Sequence, residues 1–98
     1  MEEIQFDLDA KNKGRFIILE NGEPLGEMAV VIDGDKLSVF HTEVLPKAEG
    51  KGFAKKMLDH MVEYARKNNL KVIPLCPYVL AQFKRNAKIY ADVWKPGS

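Results

Sequence analysis

Cysteine is nearly missing from the 98-residue chain: Cys76 stands alone, so no disulfide can form within it. A lone thiol fits a reducing compartment, and the expected location is cytoplasmic. Long apolar runs are missing too, since no stretch approaches the roughly 20 residues that span a bilayer, and no membrane partner is expected. The opening Met1-Glu2-Glu3 is acidic and shows neither the basic nor the apolar region of a secretory signal. Net charge is only +1, and basic residues are not interleaved with aromatics as in single-strand binders, which makes nucleic acid the weakest partner class. His41, His60 and Cys76 lack the spacing of metal ligands, so no metal is expected.

What is present suffices for one domain, assigned to residues 1–94 with a loose tail at 95–98. A compact chain of this length has a radius of gyration of about 13 Å. Charge is unevenly placed. Residues 1–40 hold four Lys/Arg against nine Asp/Glu, whereas residues 41–98 hold eleven against five. A basic second half points to an anionic ligand there, or to solvated helix faces such as Lys56, Asp59, Glu63, Arg66 and Lys67.

The hydrophobic period divides the chain into two parts. Ile4–Asp9, Arg15–Glu20, Leu25–Ile32 and Lys36–Val44 read as strands, with Asn21-Gly22 a type I′ hairpin turn and Asp33-Gly34-Asp35 a second turn. From Phe53 the spacing becomes helical: Phe53, Ala54, Met57, Leu58, Met61, Val62 and Ala65 form one stripe, closed by Asn68-Asn69. Lys71–Leu75 is a short strand despite Pro74, and a strand, helix, strand order implies a parallel pair with a right-handed crossover. Pro77 opens a short second helix from Tyr78 to about Asn86. Ile89–Trp94 reads as a last strand. The expected fold is α/β (α+β) with a mixed sheet, an antiparallel meander followed by a parallel pair and a short C-terminal helix.

Chemistry concentrates at the carboxyl end of that parallel pair, where open α/β sheets bind ligands. Leu45-Pro46-Lys47-Ala48-Glu49-Gly50-Lys51-Gly52 joins strand to helix there. Its glycines allow close backbone approach, the first helical turn offers free amides, and Lys47, Lys51 and Lys55 add positive charge. The spacing matches neither of the common glycine-rich nucleotide motifs, so by itself the stretch is as readily a tight turn. On a regular strand Leu37, Val39, His41 and Glu43 share one face, which turns titratable beside the loop. Cys76 falls at the end of the neighbouring parallel strand, where a thiol near an imidazole can serve as nucleophile or proton relay, or can be an inert buried residue. Lys84, Arg85 and Lys88 form a second basic group, an exposed helix face or a partner for separated phosphates.

Three separated stretches, His41-Thr42-Glu43-Val44, Gly50-Lys51-Gly52-Phe53-Ala54-Lys55 and Val72-Ile73-Pro74-Leu75-Cys76-Pro77-Tyr78-Val79, resemble the minimal GNAT-like acetyltransferases in motif order and spacing. These are the short branch of the general-control-type N-acetyltransferase superfamily, and the likeness is best from residue 41 to 86. The resemblance implies an acetyl-coenzyme A site. The superfamily's pyrophosphate segment (Arg or Gln, two residues, Gly, one residue, Gly or Ala) falls on Lys47 to Gly52, with Lys47 departing from the first position. By the same likeness Glu49, Phe53, Ala54 and Lys55 are expected to belong to this cradle. Backbone from Glu43 through Val44 to Leu45 is expected to hold the pantetheine arm, with Lys84 and Arg85 towards the nucleotide.

The resemblance also implies an amine acceptor, whose identity and the chain's oligomeric state are left open. By that likeness Cys76 lines the acetyl site, and two routes follow. In one, the amine attacks the thioester directly, with His41 or Glu43 taking its proton and Tyr78 or Cys76 protonating the leaving thiolate. In the other, Cys76 carries the acetyl group first. A module that binds acyl-coenzyme A without turnover, or serves a protein partner, is the alternative to an enzyme.

Overall fold

Alternating apolar and polar residues in the first 44 positions build four antiparallel strands: β1 (Glu2–Leu8), β2 (Lys13–Glu20), β3 (Glu23–Asp33) and β4 (Lys36–Val44). The structure, a computed structural model, describes residues 2–95. Asn21 (φ 52°) and Gly22 (φ 83°) both take left-handed backbone, as the expected type I′ turn between β2 and β3 requires. Helix α1 (Phe53–Lys67) then crosses to β5 (Lys71–Pro74), which lies parallel to β4 and completes a five-stranded sheet in the order β1-β2-β3-β4-β5. Helices α2 (Pro77–Arg85) and α3 (Ala87–Tyr90) follow. The radius of gyration is 12.9 Å, as chain length predicts.

One face of the sheet is closed by α1. Phe16, Ile18, Met28, Val30, Leu37, Val39 and Val72 from the strands meet Met57, Leu58 and Met61 from the helix, all essentially without solvent exposure. Each such side chain contributes about 2 kcal/mol of apolar burial. The helix stops where Asn68 turns its amide back to the Tyr64 carbonyl and Asn69 goes left-handed (φ 55°). Beside it, Phe83 of α2 stacks on Tyr90 of α3 with ring centres 4.6 Å apart. Arg66 of α1 ties this region down by reaching Asp92 and the Ile89 carbonyl. The opposite face contributes no buried side chain: Arg15, Ile17, Leu19, Glu27, Ala29 and Val31 are half-buried or exposed.

The last strand expected over Ile89–Trp94 does not form. Ala87–Tyr90 is helical, and Trp94 makes a single parallel bridge to Val72. Burial explains the difference: Tyr90, Val93 and Trp94 recur at helical spacing and pack inwards or partly so, while Ile89 is left in solvent. Lys95 donates its amide to the Val72 carbonyl, and residues 96–98 of the expected tail lie outside the described residues. Among the described residues no helix is long and apolar enough to cross a membrane.

Candidate functional site

The parallel pair comes apart early. Pairing of β4 with β5 ends at Val39 opposite Pro74, while β4 runs on to Val44. Past Pro74, which has no amide hydrogen to extend the ladder, the chain turns away, and the Cys76 amide donates to the Val39 carbonyl at 2.8 Å. Leu45 donates its amide to the Leu25 carbonyl on β3. By the alternation of an antiparallel ladder, Glu43 also faces β3, whereas Thr42 and Val44 point their backbone groups to the side that β5 has vacated. The Leu45 carbonyl is taken as well, by the Ala48 amide. Of the segment expected to line a ligand with its backbone, Val44 is therefore free to do so and Glu43 and Leu45 are engaged. Thr42, which the sequence reading left without a role, joins Val44.

At the same end lies the glycine loop. Pro46–Ala48 forms one 3-10 turn, anchored by the buried Ala48 methyl. Gly50 (φ 85°) and Gly52 (φ 76°) are left-handed, and a Cβ on either would meet nothing within 4 Å. Backbone conformation thus favours glycine here, and the space above both is open. Gly52 is the N-cap of α1, no side chain caps the helix, and no acidic residue stands in its first turn. The amides of Gly50, Gly52, Phe53, Ala54 and Lys55 meet no acceptor among the described residues. Together with the positive end of the helix dipole they form a set of donors suited to an anion.

The lysines are less free than the sequence suggests. Lys47 pairs with Glu23, Lys51 with Glu20 at 2.8 Å, Lys55 with Asp59 at 2.7 Å, and Lys56 with Glu2. Glu20 and Glu23 flank the β2–β3 hairpin, which brings acidic residues of the first half against basic residues of the second. The hydrogen bond from Lys51 holds the Glu20 carboxyl below its ordinary value. Exposed pairs of this kind are weak and leave the amides as the main anion donors.

Side-chain placement corrects one expectation. β4 carries a bulge: Ala29 faces His41 but Val30 faces Val39, so Phe40 has no partner. One extra residue reverses the facing of all that follows. Leu37 and Val39 remain buried under α1, while His41 and Glu43 turn to the uncovered face, instead of all four sharing one face. Thr42 takes the inward position, its Oγ1 3.3 Å from the Cys76 Sγ. Cys76 is 3% exposed and N-caps α2 without a side-chain cap bond. Tyr78 sits half-buried in the first turn of α2, and burial raises its phenol above the ordinary value. Lys84 and Arg85 are exposed in the last turn of α2, the far end from Cys76, about 12 Å along a helix of nine residues. They line a hollow with Asn86, Lys88 and Ile89 to which no residue of the glycine loop contributes, and they make no ion pair among the described residues.

The fold is thus an α/β domain whose mixed sheet parts at its parallel pair, over an uncapped helix reached through left-handed glycines, an arrangement of free amides suited to an anion. Residues 15–93 match the family model of the GCN5-related N-acetyl-transferases, and the chain belongs to that family. No curated protein matches the chain. Among solved structures, a GCN5-like putative N-acetyltransferase from Staphylococcus aureus superposes with TM-score 0.67 at 28% identity, over 93% of this chain and 87% of that one. The ribosomal-protein-alanine N-acetyltransferase of Brucella melitensis gives 0.65 at 18% identity, over 90% and 65%. Tetrahymena GCN5 gives 0.66 at 14% identity, over 76% and 50%. The latter two likenesses are of fold. This chain spans 43% of the length of the Escherichia coli ribosomal-protein-S18-alanine N-acetyltransferase, which it also resembles in fold.

Proposed function

We propose that the chain binds acetyl-coenzyme A along the vacated edge of β4 and transfers the acetyl group to an amine. Family membership supports acetyl-coenzyme A as co-substrate. What carries the reading is a coincidence at one end of the sheet: a backbone edge left without a partner strand, and a helix N-terminus left without a cap. The residues fit the cofactor. The free amides of Gly50, Gly52, Phe53, Ala54 and Lys55 suit a pyrophosphate, with Lys47, Glu49 and Lys51 around them, and the edge at Thr42 and Val44 suits an amide-bearing arm. Lys84 and Arg85 supply cations without acidic partners for the nucleotide end.

Acetyl-coenzyme A supplies an activated acyl carbon and a thiolate leaving group. In the transfer, the amine nitrogen forms the C–N bond, the C–S bond breaks with its electrons passing to sulfur, and one proton leaves the nitrogen while another reaches the sulfur. His41 or Glu43, both solvent-facing after the bulge, takes the nitrogen proton. Tyr78 keeps its own proton through the neutral range because burial opposes phenolate, so it is equipped to donate to the thiolate. Direct attack is favoured over an acetyl-Cys76 relay: the thiol is buried, and its polar partner is the Thr42 hydroxyl and not a base or cation that would promote thiolate.

Isothermal titration with acetyl-coenzyme A tests the binding. Heat that saturates supports it, and no binding at millimolar concentration removes it. Intact mass after mixing tests the route: a competent acetyl adduct that vanishes in Cys76→Ala would establish the relay, and full activity of that variant excludes it. Binding with no transfer to any amine leaves a non-catalytic acyl-coenzyme A module.

A further inference from the structure

The uncovered face of the sheet holds a cavity of about 390 Å³. Its floor is apolar, formed by Ile17 and Leu19 of β2 and by Leu45, and Arg15, Glu27 and Glu43 stand at its rim. Glu27 and Glu43 oppose each other directly in the β3–β4 ladder, with Cα atoms about 5.5 Å apart at a hydrogen-bonded position. Like charges so placed repel. Arg15 relieves only one of them, its Nη1 lying 3.3 Å from Glu27 Oε1, and Glu43 makes no ion pair among the described residues. The cavity therefore offers one uncompensated carboxylate above an apolar floor. The Phe40 bulge is what turns Glu43 onto this face, and Leu45 leads directly from the cavity into the glycine loop.

We infer that this cavity receives the acceptor, and that the acceptor is a small primary amine on an apolar body. The ammonium sits between Glu27 and Glu43, and the body covers Ile17, Leu19 and Leu45. The word acceptor rests on the acetyl-transfer reading, while the binding of amine stands without it. Bound as an ammonium, the amine loses one proton before attack and a second as the amide forms. The sulfur takes up one, so one net proton passes to solvent. Charge complementarity gives Arg15 an opposing sign, because its guanidinium competes with the ammonium for Glu27.

Phenethylamine titrated into isotope-labelled protein, with amide shifts followed by NMR, tests this. The expected shifts fall on Gln5, Ile17, Glu27 and Glu43. Glu27→Gln weakens binding about two- to fivefold and Arg15→Gln strengthens it by a similar factor, the range for exposed charge pairs. In turnover, Glu27→Gln raises KM for the amine and leaves kcat unchanged. Hydrocinnamate, the matching carboxylate, leaves those amides unmoved. No shift at millimolar amine, shifts elsewhere, equal binding of hydrocinnamate, or a lysine peptide that shifts these amides where phenethylamine does not would each overturn the inference. Coenzyme A added to the same sample reports separately at Gly50 and Gly52. Loss of amine binding with cofactor binding intact removes this inference alone, whereas loss of cofactor binding removes the reading beneath it.

Discussion

Replacing Gly52 by alanine separates the loop's part in stability from its part in binding. Gly52 holds φ at 76°, and a Cβ there meets no atom within 4 Å. The folding cost of Gly52→Ala is thus backbone strain alone, roughly 1–2 kcal/mol. For a domain of this size that lowers the melting temperature by about 4–8 °C per kcal/mol. Gly34→Ala is the matched control: its φ is 60°, its surroundings are equally open, and it lies in the β3–β4 turn at the other end of β4. Urea denaturation should find the two variants destabilised alike. Calorimetric titration should find them different. In Gly52→Ala the methyl enters the space above the free amides, and losing one charge-assisted hydrogen bond costs about 1.5–3 kcal/mol, about 10- to 150-fold in coenzyme A affinity. Gly34→Ala should bind as the parent does. If Gly52→Ala binds coenzyme A with parental affinity, the loop is a turn and not a cradle.

Lys51→Ala should weaken coenzyme A less than about fivefold, since Lys51 is already shared with Glu20 and the amides supply most donors; a loss as large as that of Gly52→Ala would reassign the binding to the lysine. Tyr78→Phe should lower kcat about a hundredfold with KM for acetyl-coenzyme A unchanged if the phenol protonates the leaving thiolate, and an unaltered kcat would move that role elsewhere. Asp92 carries a pH dependence of known sign. The hydrogen bond from Arg66 holds its folded value below the ordinary aspartate range, so the pair's stabilisation is present above that range and is lost as pH falls through the folded value. Asp92 is 57% exposed, which limits the effect to less than about 1 kcal/mol. Asp92→Asn should remove that much at pH 7 and flatten the acid limb of a denaturation series, and a steeper acid limb would reverse the assignment.

Local signals carried most of the fold. Asn21-Gly22 encoded its hairpin because few other residue pairs take two left-handed conformations, and the Phe53-to-Ala65 stripe encoded α1 because its spacing fits only a helix. The strand, helix, strand order fixed the parallel pair. What escaped is non-local. The bulge at Phe40 adds one residue in a strand whose polar and apolar positions tolerate either phase, so His41 and Glu43 looked inward when Thr42 is the residue against Cys76. Pairing of Lys47 and Lys51 with Glu23 and Glu20 joins residues far apart in sequence, and no local pattern announces it. In Ile89–Trp94 the aromatic content resembled a strand, but the packing of Tyr90 on Phe83 drew the segment into a helical turn. The free amides at the start of α1 were legible from the glycines; the cavity over Ile17 and Leu19 was not, because it exists only where four strands lie side by side.

Coenzyme A titrated into isotope-labelled protein, followed through backbone amide shifts, addresses the central claim most directly. The account predicts saturable shifts at Gly50, Gly52, Phe53 and Ala54 together with Thr42 and Val44, marking the helix N-terminus and the vacated edge of β4 as one site. Saturable binding that leaves these amides unmoved, or no shift anywhere at millimolar coenzyme A, would contradict it.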